Sequence, residues 1–148
     1  MILTIQKGTD NQILRQKAEK VKEITPEIKE LISDMIKTMD TNNGIGLAAP
    51  QIGKSLQIAV IRPDVSENAF VLINPKIIKK SIRKDVVEEG CLSLPNIAIK
   101  VKRPIQITIT ATDLNNQPIT IKIKGILARV IQHEIDHLKG ILIVDKDR

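Results

Sequence analysis

Between Thr25 and Asp40 the apolar side chains fall at helical spacing. Ile28, Leu31, Ile32, Met35, Ile36 and Met39 stand at i, i+3, i+4, i+7, i+8 and i+11, with charged residues between them. That stripe predicts an amphipathic helix with one face on a core. Thr25 is placed to cap it, Pro26 fits its first position and Glu27 lies in its first turn. The sequence TNNG at 41–44 then ends it, because Asn and Gly tolerate the left-handed conformation that closes helices. Short apolar runs at 56–61, 69–73 and 76–82 predict strands. From Ile105 to Lys124 the period drops to two, IQITITATD and PITIKIK flanking LNNQ, so a β-hairpin is expected with Asn115 and Asn116 at its turn. After Gly125 the spacing becomes helical again over ILARVIQHEIDHLK, with Gly140 at its stop. Ile126, Leu127, Val130, Ile131, Ile135 and Leu138 cover most of this helix's circumference, which predicts burial on several sides. ILIV at 141–144 reads as a closing strand. The class expected is α+β: short antiparallel sheets packed around a central buried helix, with one amphipathic helix near the N-terminus. A chain of 148 residues without repeat, low-complexity stretch or linker suits one domain, 1–148.

Composition changes this picture in one respect. With one Phe and no Trp or Tyr, the core must be aliphatic, and no aromatic platform exists for stacking nucleobases. The net charge of +6 comes from 23 Lys and Arg against 17 acids dispersed along the chain. Dispersal argues against a nucleic-acid-binding tail and for a lysine-rich solvated surface, compatible with work close to an anionic machine such as the ribosome. No basic segment precedes a long apolar stretch at the N-terminus, and no run approaches the roughly 18 apolar residues of a membrane span. A soluble cytoplasmic protein is expected, and its lone cysteine cannot close an internal disulfide.

Both histidines of the chain lie in QHEIDH, 132–137. On a helix, His133 and His137 are one turn apart on one face and both imidazoles can reach one ion, with Glu134 beside the first. The alternative is an ordinary polar helix face, but the neighbours are apolar, and unpaired polar groups buried there would cost about 1–3 kcal/mol each. A catalytic site takes three protein ligands and leaves one position for water. Downstream of His137 the anionic side chains are Asp145 and Asp147 and there is no further histidine, which disfavours a peptidase with its third ligand on that side. Upstream, the one soft donor is Cys91 in EEGCLSLP. A lone buried cysteine is commonly a small core residue; here Gly90, Ser93 and Pro95 mark a structured loop rather than a regular strand interior.

GIGLAAPQ at 44–51, EEGCLSLP at 88–95 and QHEIDHLKG at 132–140 resemble, in order and spacing, the three signature motifs of peptide deformylases. The resemblance implies that fold and a metal-dependent hydrolase that removes the formyl group from the N-terminal formyl-methionine of nascent polypeptides. It implies Cys91, His133 and His137 as ligands of one divalent ion, Fe(II) by resemblance, although the same donors suit Zn(II), Ni(II) or Co(II). Glu134 would be the base, with the Gln51 amide and the Leu92 N–H stabilising the oxyanion. The backbone at Ile45, Gly46 and Leu47 would pair with substrate as an added strand, a side chain at Gly46 being in the way. Ile45, Ile126, Arg129 and Val130 would lie near the methionine pocket, Arg129 by its alkyl stem with its charge outward or in a surface salt bridge, and Gly90, Leu92 and His133 would also bind substrate. Glu89 and Ser93 are expected to organise the loop. Substrates would be N-formylmethionyl peptides, with room for a transient ribosome association, no specific nucleic acid or membrane partner, and a monomeric state. Two departures from the family pattern stand out: the sequence ends at Arg148, before the C-terminal helix of many members, and NIAIKVKRP lacks the aromatic often found there. The competing functions are another HExxH peptidase or amidase, and an inactive family member acting as a binder.

Overall fold

The computed structural model describes residues 1–64 and 66–146. In chain order it has a single helical turn at Gln12–Arg15 (α1), the helix Pro26–Thr41 (α2), and strands Gly46–Ala48 (β1), Ile58–Ile61 (β2) and Phe70–Lys80 (β3). Strands Lys84–Cys91 (β4), Leu94–Pro104 (β5), Gln106–Thr112 (β6) and Pro118–Lys124 (β7) follow and lead into the helix Gly125–Leu138 (α3). Short 3-10 turns occupy Ala49–Ile52 and Ile143–Asp145. The expected α+β class holds. One antiparallel sheet runs β1-β2-β3-β6-β7, and β4 and β5 form a separate two-stranded sheet.

The helix α2 forms as its pattern requires: the Thr25 side chain accepts from the Ile28 N–H, Pro26 starts the first turn, and Asn43 adopts a left-handed φ of 56° after the end. Ile32, Met35 and Met39 are buried against Leu47, Ile58, Val60 and Ile73. Each such side chain contributes about 1.5–3 kcal/mol of hydrophobic stabilisation. On the other side of the sheet α3 buries Ala128, Val130, Ile131 and Ile135 against Ile107, Ile109 and Ile123. The expected hairpin is β6–β7, paired from Gln106↔Lys124 to Thr112↔Pro118. A third cluster of Leu14, Leu94, Val101, Leu142 and Ile143 seats the small sheet on the chain's two terminal segments. The core is aliphatic, as composition implied.

Four expectations are corrected. The runs at 69–73 and 76–82 are one strand, β3, interrupted by a register shift between Ile73 and Lys76 where Asn74 takes a φ of 52°. The Asn74 side chain uses that bulge to accept from the Val21 N–H and donate to the Val21 carbonyl, both at 2.9 Å. EEGCLSLP is not a loop: β4 runs to Cys91 and turns through Leu92 and Ser93 into β5. ILIV at 141–144 is no strand, because Asp145 accepts from the Leu142 N–H at 2.9 Å and winds the segment into a 3-10 turn. Ile126 is not buried in α3 but 62% exposed. Asp147, named among the downstream acids, lies outside the described residues.

The N-terminal arm fixes parts that are far apart in sequence. The Gln6 N–H donates to the Gln51 carbonyl (2.7 Å), the Gly8 N–H to the Ser93 carbonyl (3.0 Å) and the Ala18 N–H to the Leu138 carbonyl (2.9 Å). No helix of the described residues is long and apolar enough to cross a membrane.

Candidate metal centre

Two elements from different parts of the fold bring the sequence-predicted ligands together. The helix α3 presents His133 and His137 one turn apart, their ring centroids 5.0 Å apart and inclined at 62°. The end of β4 brings Cys91 to them, with Sγ 3.3 Å from His137 Nε2. One donor atom from each of Cys91, His133 and His137 lies within 4.8 Å of the others. A thiolate and two imidazoles at that spacing are the donor set of a tetrahedral site with one position left open.

The surroundings fit a cation there. The His133 Nδ1–H donates to Glu89 Oε1 at 2.9 Å, which turns Nε2 towards Cys91 and His137. Burial pushes His137 down to about 3, so its ring is neutral and able to ligate. Burial pushes Glu134 up to about 7, against the pull of the neighbouring cations. At His133 burial acts downwards but is outweighed by the Glu134 charge and by bonds to Cys91 and Glu89, which raise it to about 10. The cluster therefore favours a positive charge at its centre, whether a proton or a metal ion. Among the described residues two buried side-chain atoms have no hydrogen-bond partner, Glu134 Oε1 and His137 Nδ1. An unpartnered buried carboxylate oxygen of this kind costs about 1–3 kcal/mol.

Beside the metal group opens a cavity of about 450 Å³ whose lining includes Ile45, Gly46, Gln51, Gly90, Cys91, Leu92, Ile126, Arg129, Val130, His133 and Glu134. Most expected site residues therefore meet in one place. The Leu47 side chain is fully buried in the core beneath β1 and does not line the cavity, and its backbone stands opposite Val60 of β2. The reason is strand alternation: Gly46 and Leu47 face opposite sides of β1. A Cβ at Gly46 would stand 2.5 Å from Glu134 Oε2, so glycine there makes room for Glu134. A Cβ at Gly90 would meet only the Ile97 carbonyl, at 3.9 Å, so glycine there leaves the cavity open.

Gln51 is held on both sides of its amide. Its Oε1 accepts from the Ala48 N–H at 2.9 Å, and its Nε2 donates to Ser93 Oγ at 3.1 Å and lies 3.7 Å from Cys91 Sγ. The backbone bond fixes which end of the amide faces the metal group. Ser93 thus organises the turn, as expected.

Arg129 overturns its expectation. Its guanidinium points inward and is buried, bonded to Glu89, Asp85 and the Val101 carbonyl. Glu89 also receives Arg103 Nε at 2.6 Å and Nη2 at 2.9 Å, and Arg103 Nη1 reaches Asp136 at 2.7 Å. Burial acts to raise the Glu89 carboxyl, yet the bonds from His133 and Arg103 win and bring it down to about 2. Sequence reading missed Arg103 altogether; its only signal is a charged residue at an inward position of a strand.

Known proteins bear on the arrangement. The family model described as polypeptide deformylase matches residues 2–148. The peptide deformylase of Dictyoglomus thermophilum is 49% identical over 146 residues, covering 99% of this chain and 93% of the relative. Among solved structures, a peptide deformylase from Synechococcus elongatus in complex with actinonin superposes with a TM-score of 0.94 at 40% identity, covering 99% of this chain and 79% of that one. A Met-Ala-Ser-bound class I type b peptide deformylase from Acinetobacter baumannii gives a TM-score of 0.93 at 32% identity, covering 99% of each chain.

Proposed function

The chain belongs to the polypeptide deformylase family, metal-dependent enzymes that remove the formyl group from nascent polypeptides, and on that premise we propose how its residues divide the work. Cys91, His133 and His137 hold one divalent ion. Fe(II) is the ion proposed, from the family pattern; Zn(II), Ni(II) and Co(II) suit the same donors. Such an ion supplies Lewis acidity, lowering the pKa of water towards neutrality and polarising the formyl carbonyl. The observation that carries the reading is the unpartnered Glu134 Oε1, buried beside that ligand set.

Glu134 takes the proton of the attacking water and returns it to the departing amine nitrogen. Gln51, its amide fixed by Ala48 and Ser93, turns the N–H that faces Cys91 Sγ to the developing oxyanion, and the Leu92 N–H is the second donor. Substrate lies as an added strand on the free edge of β1. The Ile45 carbonyl bonds inward to the Arg62 N–H at 2.8 Å, so alternation turns the N–H and C=O of Gly46 outward to that edge. Ile126 and Val130 give the methionine thioether an aliphatic wall, the Arg129 stem lies between them, and Gly90 leaves room beside them. Residues 1–148 act as a single metallohydrolase domain, monomeric, in the cytoplasm, on chains emerging from ribosomes.

The test is turnover of formyl-Met-Ala-Ser, acetyl-Met-Ala-Ser and Met-Ala-Ser by protein loaded with Fe(II) without oxygen. One formate per formyl peptide, with the other two peptides intact, is expected. Cleavage of an acetyl group or an internal bond would establish a different amide hydrolase, and metal binding without any turnover an inactive binder.

A further inference from the structure

The metal ligands come from two elements, and polar bonds cross between them: besides those of Arg129, Arg103 of β5 reaches Asp136 of α3 at 2.7 Å and Gln132 of α3 donates to the Pro104 carbonyl at 3.0 Å. His133 and His137 ride on α3, whereas Cys91 ends β4 of the small sheet, which shares no strand pairing with the main one. Arg129 spans that junction from the helix. Its Nη1 donates to Glu89 Oε2 at 2.6 Å and to the Val101 carbonyl at 2.9 Å, and its Nη2 to the Asp85 carbonyl at 3.0 Å and Asp85 Oδ1 at 2.8 Å. One planar fork thus grips β4 at residues 85 and 89 and β5 at 101, four residues before His133 on its own helix. The carboxylate it holds, Glu89, is two residues from Cys91 and accepts the His133 Nδ1–H with its other oxygen. The Arg129 side chain is 7% exposed, and burying a guanidinium is tolerable only where its donors are matched in this way. A lysine cannot reproduce the fork, because its ammonium is a point charge that cannot reach acceptors on three residues.

We propose that Arg129 is a positioning residue that latches the cysteine strand to the histidine helix. It sets the distance between Cys91 and the two imidazoles, orients the His133 ring through Glu89, and holds β4 as one wall of the substrate cavity. This rests on the reading of Cys91, His133 and His137 as one metal site. A purely structural ion pair would contribute to stability without altering how the ion is held.

The experiment compares wild type, Arg129→Lys, Arg129→Met and Asp85→Asn. Each is loaded with Co(II) as the probe, and the visible spectrum, the rate of Co(II) loss to a chelator and the kcat and KM of formate release are recorded. Amide exchange across residues 84–91 is followed in metal-free protein. Arg129→Lys is expected to lose Co(II) about 10- to 100-fold faster, with an altered spectrum and faster exchange in β4 but not in the second half of α3. Asp85→Asn keeps an Oδ1 acceptor but removes the charge behind one of the four bonds, at a half-exposed side chain, and is expected to speed exchange at 84–87 and raise KM a few-fold while leaving the spectrum unchanged. A folded Arg129→Lys protein with wild-type spectrum and Co(II) loss within twofold of wild type overturns the latch. Should both Arg129 variants fail to fold, unchanged exchange in Asp85→Asn overturns it. Wild type that binds Co(II) without releasing formate sinks the deformylase reading, and the metal readouts still decide the latch. Wild type that binds no Co(II) sinks the metal reading, and β4 exchange in Arg129→Lys decides.

Discussion

Replacing Gly46 by alanine adds one methyl group, and the structure says what that methyl meets. Its Cβ would stand 2.5 Å from Oε2, 3.0 Å from Cδ and 3.1 Å from Cγ of Glu134. The backbone of β1 is extended there and accepts alanine without strain, so the conflict falls on the carboxylate. To regain ordinary van der Waals distance, Glu134 must withdraw by about 1 Å, and a misplacement of that size costs about 100-fold in rate. That factor corresponds to about 2.7 kcal/mol in the barrier, and forcing the methyl into close packing costs about 1–3 kcal/mol of stability as well. The assay is formate release from formyl-Met-Ala-Ser with kcat and KM resolved, beside metal content and a thermal melt. The expected outcome is a kcat lower by about 100-fold, with metal content and KM little changed. If glycine instead served to clear the substrate strand, as the sequence alone suggested, the loss would appear in KM. A folded, fully metallated Gly46→Ala protein with kcat within threefold of wild type refutes the reasoning.

Three further outcomes follow from the fold. Met35→Ala empties a fully buried position under α2 and should cost about 2–5 kcal/mol in denaturant titration. Gly140→Ala is strained twice, by a φ of 77° and by the Arg15 carbonyl standing where its Cβ would go, so it should destabilise by more than about 1 kcal/mol. The Asp145 carboxyl is slightly buried, which raises it, but the Leu142 N–H and Arg15 outweigh this and hold it below its ordinary value. Its contribution is therefore present above the usual carboxylate range and fades as pH falls through the folded value. Melting wild type and Asp145→Asn side by side should show their difference narrowing from pH 6 to pH 3.

The sequence announced whatever rested on local periodicity or fixed spacing. The cap at Thr25, the stripe of α2, the β6–β7 hairpin and the i, i+4 histidines are all local signals, and the structure keeps them. What it hid depends on partners far along the chain. The pattern of β4 is obscure because Val86 and Val87 are largely exposed while Glu89 turns inward, an inversion that makes sense only once Arg103 and Arg129 supply its counter-charges. For Arg129 the sequence reading offers an outward charge or a helix-surface salt bridge; the carboxylate it meets lies forty residues earlier and buried, on a strand the alternation does not reveal. ILIV looked like a strand until Asp145 capped it into a turn. Cys91 carries only weak local marks, being the one soft donor and standing beside Gly90, Ser93 and Pro95, and its place in the three motifs singles it out.

The most direct measurement is formate release from formyl-Met-Ala-Ser by Glu134→Ala protein shown to carry one metal ion per chain. The account separates the ligands Cys91, His133 and His137 from the base Glu134. It therefore predicts full metal content with activity reduced by about 10²- to 10⁴-fold. Release at the wild-type rate from the fully metallated variant would contradict it.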